Sequence, residues 1–191
     1  MRSRGFSLVE MTISIGIILT MAAVAAPAFR ARFADAHLLG AAQQFQSRFR
    51  LAYSMAVRGG VYTAIRFERV ADGGVTYSVY ADGNGNGVLS ADIARGTDRR
   101  IEGPISLTGG APGVWVGFNP GVPEIPPEHG TLSGDPVRFG VHDILSFSPL
   151  GTATPGTFYL AGDSAQAAVR VTGGSARVRI MLWRGGKWQE R

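Results

Sequence analysis

The chain has 191 residues, a formal net charge of +5 and no cysteine. Without cysteine it can form no disulfide framework, no CxxC redox pair and no cysteine-based zinc site. Its 27 glycines and 10 prolines favour a turn-rich β domain over a helical one, and the mild positive charge alone indicates little about partners.

The first predicted element is a membrane-grade helix. No side chain between Met11 and Phe29 is charged, and about 19 apolar residues are enough to cross a bilayer. A very short basic leader precedes the helix, and Glu10 lies near its start. A carboxylate in hydrocarbon costs roughly 2.5 kcal/mol or more unless it has a partner or stays near the interface.

Three interpretations of this apolar segment, each common among proteins, stay open. A secretory signal peptide is the first, since residues 22–26 offer small-residue cleavage sites, although Glu10 at the entry of the apolar region argues against it. A plain single-span anchor is the second. A buried core helix is the third, although such helices seldom run this long without polar residues.

The helix is predicted to continue beyond the apolar run as an amphipathic segment. Pro27 removes one backbone donor and is expected to kink it, and Gly59-Gly60 is expected to end it. Most of the arginines in this half fall off one apolar stripe. The stripe consists of Phe29, Phe33, Ala42, Phe45, Phe49, Ala52 and Ala56.

From Val61 onward the hydrophobic period changes to two, which predicts strands. Asp72-Gly73-Gly74 and Gly173-Gly174 are predicted hairpin turns. A long loop rich in proline and glycine, residues 119–136, is either a functional surface loop or partly disordered. The predicted strands lie at 61–68, 75–81, 105–108, 114–118, 144–148, 157–161, 167–172 and 176–183.

The N-terminus resembles the class III signal of type IV pilins and type II secretion pseudopilins. It reads Gly5-Phe6-Ser7-Leu8-Val9-Glu10 behind a leader formed by residues 1–5. In that family a dedicated prepilin peptidase cuts after the glycine, here Gly5, and the new N-terminus, here Phe6, is N-methylated. The acidic residue, here Glu10, governs assembly into a filament.

Two segments of the head resemble the GspH/FimT group of minor pseudopilins and minor pilins. Residues 147–160 look like the strand–turn–strand segment of that group, and residues 175–183 followed by Trp188 look like its terminal strand. One departure concerns Ser175-Ala176-Arg177, where many members carry Gly-Arg before the last strand.

The resemblance implies an α+β, pilin-like fold in which a long N-terminal helix packs on a β-rich antiparallel C-terminal head. The first half of the helix spans the inner membrane once, and the head lies in the periplasm until the subunit enters a pseudopilus or pilus. The implied partners are other pseudopilins or pilins, the prepilin peptidase and the inner-membrane assembly platform. The expected segments are a leader at 1–5, a transmembrane helix at 6–29, an amphipathic helix at 30–60 and the head at 61–191.

The implied function is that of a minor pseudopilin, a structural subunit of a type II secretion pseudopilus that acts in protein export across the outer membrane. The alternative is a FimT-type minor type IV pilin that binds DNA during uptake. Arg177 and Arg179 are the candidate DNA-binding residues, because alternate positions of a strand share one face. A solvated sheet face explains the same arginines without DNA, and a secreted β domain with a conventional signal is a third, weaker alternative.

A glycine-rich segment in the head has two interpretations. Asp82, Asn84 and Asn86 carry oxygens at alternate positions, as in the first half of an EF-hand-type calcium loop. The closing acid is expected at the twelfth position, which is Ile93, and Asp92 lies one residue short of it. A tight turn needs the same asparagines and glycines, because both tolerate positive φ. No other cofactor is expected.

Little in the sequence supports an enzyme. The three histidines, His37, His129 and His142, are scattered without HxxxH or HExxH spacing. No nucleophile elbow, P-loop or Rossmann glycine pattern is present. The sequence therefore favours a structural subunit.

Overall fold

The computed structural model of the protein describes residues 7–71, 74–107, 111–163 and 165–191, and between 27 and 31 it describes the helical backbone alone. The predicted leader, the Gly5–Phe6 cleavage site and Asp72-Gly73 of the first predicted turn lie outside the described residues.

A single helix, α1, runs from Leu8 to Gly59 and continues through Pro27. The predicted membrane segment and the predicted amphipathic segment are therefore parts of one helix. Gly60 follows it with φ 65° and ψ 17°, a left-handed conformation that glycine adopts without the steric cost of a Cβ atom. The helix thus ends at the Gly59-Gly60 pair.

The C-terminal half of α1 enters the head through one apolar stripe. Its buried residues are spaced three or four apart, so they lie on one face of the helix. They are Leu38, Ala42, Phe45, Phe49, Ala52 and Ala56. The pattern also placed Phe33 on this stripe, but Phe33 is 61% exposed. That assignment is wrong because the contacts of α1 with the head given by its described side chains begin beyond Phe33, at Asp35 and Leu38. Phe29, also placed on the stripe by the pattern, lies outside the described side chains.

The strands of the head are β1 Thr63–Arg69, β2 Val75–Ala81, β3 Arg99–Ser106, β4 Val114–Val116, β5 Val137–Phe139, β6 Ile144–Phe147, β7 Gly156–Gly162, β8 Gln166–Val171, β9 Val178–Arg184 and β10 Lys187–Glu190; a short helix, α2, spans Ser90–Arg95. The strands form two antiparallel sheets, with orders β3-β2-β1-β6 and β10-β9-β8-β7-β4, and β5 pairs with β7. Helix α1 contacts strands of both sheets, so the fold is α+β and pilin-like, as the sequence predicts.

Aromatic rings join α1 to both sheets. The ring centroids of Phe45 and Phe158 are 4.6 Å apart, and Phe67 stacks on Phe158 at 5.3 Å. Phe49 meets Phe139 edge-on at 5.8 Å. Because Phe67 belongs to one sheet and Phe139 and Phe158 to the other, the helix side chains fill the space between the two sheets and stabilise the head by burial.

The long loop is packed against the head. Val122, Ile125 and Leu132 are buried against Tyr159 and Ala168, on the face of sheet β10-β9-β8-β7-β4 that is turned away from α1. These contacts favour a surface loop packed on the sheet over a partly disordered one, and a function of the loop stays a prediction.

A second set of contacts ties this loop to the sheet. Arg138 contacts both carboxylate oxygens of Glu124, at 3.0 and 3.1 Å, and its guanidinium lies 5.1 Å from the centre of the Tyr159 ring. Burial raises the pKa of Tyr159 to about 12. The loop therefore serves as a cover for one sheet face, with polar anchors around an apolar centre.

Candidate functional site

The membrane-grade part of α1 carries one acidic side chain on an otherwise apolar surface. Leu8–Ala26 has a mean hydropathy of 2.1, and 0% of it is buried. Glu10 lies in the first turn and is exposed. Water is a poor solvent for a surface of this kind, so it fits a bilayer or the apolar faces of neighbouring helices.

The hydroxyl groups within this span are satisfied by the helix itself. Thr12 donates to the carbonyl of Val9 at 2.9 Å, Ser14 to that of Glu10 at 2.7 Å, and Thr20 to that of Ile17 at 2.8 Å. Such bonds hide a hydroxyl from an apolar environment. Glu10 is therefore the polar side chain of the span that most needs an external partner.

In the head, the segment from Asp82 to Gly87 forms a turn organised around a carboxylate. The Oδ1 atom of Asp82 accepts the N–H groups of Asn84 at 2.9 Å and Gly85 at 2.8 Å, and its Oδ2 atom accepts that of Gly87 at 2.8 Å. Burial acts to raise the pKa of Asp82, but these backbone donors outweigh it and hold the pKa below its usual value.

A second carboxylate, Asp98, supports the same turn and was missed by sequence reasoning. It is 2% exposed and accepts the N–H groups of Gly83 at 3.1 Å and Leu89 at 2.9 Å. Asp98 lies outside the alternating motif, so the motif gave no reason to select it. The sequence offers one weak signal for Asp98, an acidic residue that directly precedes the basic pair Arg99-Arg100.

The remaining predicted calcium ligands have partners of their own. Asp92 is 1% exposed and accepts hydrogen bonds from Asn86, at 3.1 Å, and from Arg95. The Arg95 and Asn86 contacts lower the pKa of Asp92. Ile93, at the position of the closing acid, packs beside Ala64 in a small apolar cluster. The described residues contain no group of three or more acidic or histidine side chains suited to a metal, and calcium binding stays a prediction.

The two candidate DNA-binding arginines lie together and share one carboxylate. Arg177 reaches Glu190 Oε1 at 3.5 Å, and Arg179 reaches Glu190 Oε2 at 3.3 Å. Arg50 of α1 and Arg191 line the same open cleft. Within the described part of the chain the Nε atom of Arg179 is buried and has no hydrogen-bond partner, whereas its Nη1 atom pairs with Glu190.

The other basic residues near the C-terminus are dispersed. Arg170 is paired with Glu128 at 2.6 Å, and Arg184, at the far end of β9 from Arg177, is paired with Asp35. The Trp188 indole N–H donates to the Pro123 carbonyl at 3.0 Å, so this ring is held by the long loop. A single continuous basic patch, as the linear sequence suggests, does not form from these residues.

A comparison with protein families finds a match to the model described as type II transport protein GspH, over residues 41–176. That stretch covers more than half of the chain and includes the head-packing part of α1 and the strands up to the turn before β9. Glu10, Arg177 and Arg179 lie outside it. No curated protein and no solved structure matches the chain.

Proposed function

The chain belongs to the GspH family of type II transport proteins, and we propose that it is a minor pseudopilin, a structural subunit of a type II secretion pseudopilus acting in protein export across the outer membrane. The family is structural and not catalytic. The observation that supports this proposal most is the single helix α1, which joins an exposed apolar span to a head that matches the family.

The apolar span fits a single-pass anchor in the inner membrane. In the proposed pathway, the prepilin peptidase removes residues 1–5, Phe6 becomes the methylated N-terminus, and the head lies in the periplasm. The inner-membrane assembly platform then transfers the subunit to a filament of other pseudopilins. In that filament the exposed apolar side chains of α1 exchange lipid for the helices of neighbours.

Glu10 sets the position along the filament axis at which each subunit stops. Its carboxylate, the acidic group within the span, pairs with the cationic amine of a neighbour's Phe6. The pair offsets the desolvation of both charges, whereas either charge alone in an apolar filament core is costly. Subunits therefore stop sliding where the two groups meet.

Mass spectrometry of the membrane-extracted protein tests the proposal. The expected N-terminus is Phe6 carrying one methyl group, and a Gly5→Val variant should retain the full leader, because a branched side chain blocks close approach of the backbone in the peptidase site. An N-terminus at or beyond Ala23 would instead establish ordinary secretion and overturn the pseudopilin assignment.

The DNA-uptake alternative has one supporting observation, the arginine cleft. Arg177 and Arg179 lie together at an open cleft, and guanidinium groups can donate to phosphate oxygens. Titration of the full-length protein in detergent with DNA, at several salt concentrations, separates the two functions. Absence of binding at low salt leaves the secretion function alone.

A further inference from the structure

Helix α1 fixes the distance between the head and the apolar span. Among the described residues the apolar span ends at Ala26. The ion pair between α1 and the sheets that lies nearest to this end of the span joins Asp35 to Arg184. At about 1.5 Å per residue the helix places this pair only about 14 Å above Ala26. The uncharged run of the sequence goes on to Phe29, so the pair lies closer still to the last apolar residue.

The hairpin turn between β9 and β10 lies nearer to the membrane than this ion pair. Gln46 of α1 donates to the Val178 carbonyl at 3.1 Å, whereas Asp35, which precedes it in α1, pairs with Arg184 at the other end of β9. Strand β9 therefore runs antiparallel to α1, and the β9–β10 turn, Gly185-Gly186, points down the helix toward its apolar part. Headgroups add about 5–8 Å on each side of the hydrocarbon core, and Asp35 lies six residues, or about 9 Å, above Phe29 at the end of the uncharged run, so the turn lies close to the headgroups.

The residues at this level are basic and partly aromatic. Lys187 begins β10 beside the turn and is exposed, and Arg32 of α1 is exposed just below it. Phe33 is 61% exposed, at a height where aromatic side chains favour the membrane interface. The charge of Asp35 is compensated by Arg184, which leaves Lys187 and Arg32 to face the lipid.

Among the described residues at this end of the sheet, an acidic side chain opposes this basic character. Asp163 follows β7 and is exposed. Sheet order places two strand spacings between the β7–β8 connection and the β9–β10 turn, or about 10 Å, which is comparable to the screening length in physiological salt. The carboxylate therefore weakens the attraction of the turn to anionic lipid without cancelling it.

We propose that the β9–β10 turn docks the head on anionic phospholipid headgroups while the subunit is still in the membrane, through Lys187 of the turn and Arg32 of the helix below it. The inference rests on the membrane anchoring proposed above. In this proposal the head makes a second contact with the bilayer, in addition to the apolar span. This contact must break when the subunit is transferred into a filament.

The test uses the full chain reconstituted in phosphatidylcholine vesicles with and without phosphatidylglycerol. Hydrogen exchange of the Gly185 and Gly186 amides should be several-fold slower in the anionic vesicles, and high salt should remove the difference because it screens exposed charges. The Lys187→Gln variant should lose most of the slowing. Arg58→Gln, which removes an exposed charge in the last turn of α1, at the end of the helix away from the apolar span, is the matched control and should retain it.

Alkaline washing of the same vesicles separates the two proposals. If the protein stays in the vesicles but its turn exchanges equally fast in both lipids, or if Lys187→Gln and Arg58→Gln behave alike, the docking surface is overturned and the anchor stands. If alkaline washing releases the chain, the anchor is overturned and the docking surface with it.

Discussion

The carboxylate of Asp35 on α1 and the guanidinium of Arg184 at the end of β9 form an ion pair that fastens the base of the head to the helix below it. The Asp35 side chain is 23% exposed and that of Arg184 49%. Of the ion pairs at the described surface, this one joins the two most distant parts of the sequence, so it closes a long loop of chain.

Replacing Asp35 with Asn should lower the free energy of unfolding by no more than about 1 kcal/mol, because partly exposed ion pairs contribute little. Local exchange should change more, since the end of β9 at Arg184 loses its ion pair with α1. Urea unfolding and hydrogen exchange measure the two effects. A double-mutant cycle with Arg184→Gln should give a coupling energy, and a cycle in which the two changes simply add would show that the pair contributes nothing.

Replacing Phe49 with Ala should destabilise the head by about 3–5 kcal/mol, because it leaves a cavity where helix and sheets meet. Phe49 is 0% exposed, whereas Leu51, on the same helix, is 44% exposed. Leu51→Ala is therefore the matched control and should cost clearly less. Thermal unfolding measures both, and equal losses of stability would contradict the described core.

Replacing Asp82 with Ala should lower the free energy of unfolding at neutral pH by about 1–3 kcal/mol, because three backbone N–H groups lose their acceptor. The folded-state pKa of Asp82 is lowered, so its stabilisation is present above the unfolded pKa of about 3.9 and is lost as pH falls through the folded value. Denaturant unfolding at several acidic pH values should show a weaker pH dependence in the variant. Asp163→Ala, at an exposed position, is the control.

The same Asp82→Ala variant tests calcium binding. If Asp82, Asn84 and Asn86 hold the ion, millimolar calcium should raise the melting temperature of the wild-type protein, since a ligand of the folded state stabilises it by mass action. The variant should not respond. An unchanged melting temperature in the wild type would leave the turn with a structural role alone.

Replacing Glu10 with Leu should leave leader cleavage and membrane insertion intact but impair incorporation into the filament, because the neighbour's terminal amine loses its partner. Cross-linking to other pseudopilins in cells measures incorporation. Thr12→Val, two residues away in the same exposed span, removes a hydroxyl that bonds a carbonyl of its own helix and should assemble normally. Normal assembly of Glu10→Leu would rule out the pairing.

Replacing Glu190 with Gln should strengthen DNA binding if the arginine cleft is a phosphate site, because the carboxylate shared by Arg177 and Arg179 no longer competes. The Arg177→Ala/Arg179→Ala double variant should weaken binding and flatten the salt dependence by about 0.9 per lost phosphate contact. Arg69→Ala, on the other sheet, should change neither. Equal affinity of Glu190→Gln and wild type would exclude the cleft as the binding site.

The sequence predicts best those parts of the fold whose pattern depends on burial. The apolar stripe of α1 from Ala42 to Ala56, the Gly60 end of the helix and strand β2 are as predicted, because each follows from spacing or from glycine chemistry. Strand β3 begins at Arg99, six positions before the predicted start at Ile105, since its first residues are polar and lie at a sheet edge, where alternation is not required.

Elements held by tertiary contacts were not predictable in this way. Strands β5 and β10 are very short, and α2 owes its position to a loop built on carboxylates that the linear motif only partly contains. Glu190 reaches both arginines of the cleft because β10 pairs alongside β9. The sequence does not indicate this pairing, since β10 is a run of four mostly polar residues.

The uninterrupted course of α1 determines how mechanical load reaches the head. A pull along the helix axis, such as extraction from a bilayer requires, acts on the stripe from Leu38 to Ala56 along its length. Strands β8 and β9 lie against the same stretch of helix, so the load is carried in shear by many side chains together. The head should therefore follow its anchor as a rigid body, intact, whenever the helix is moved.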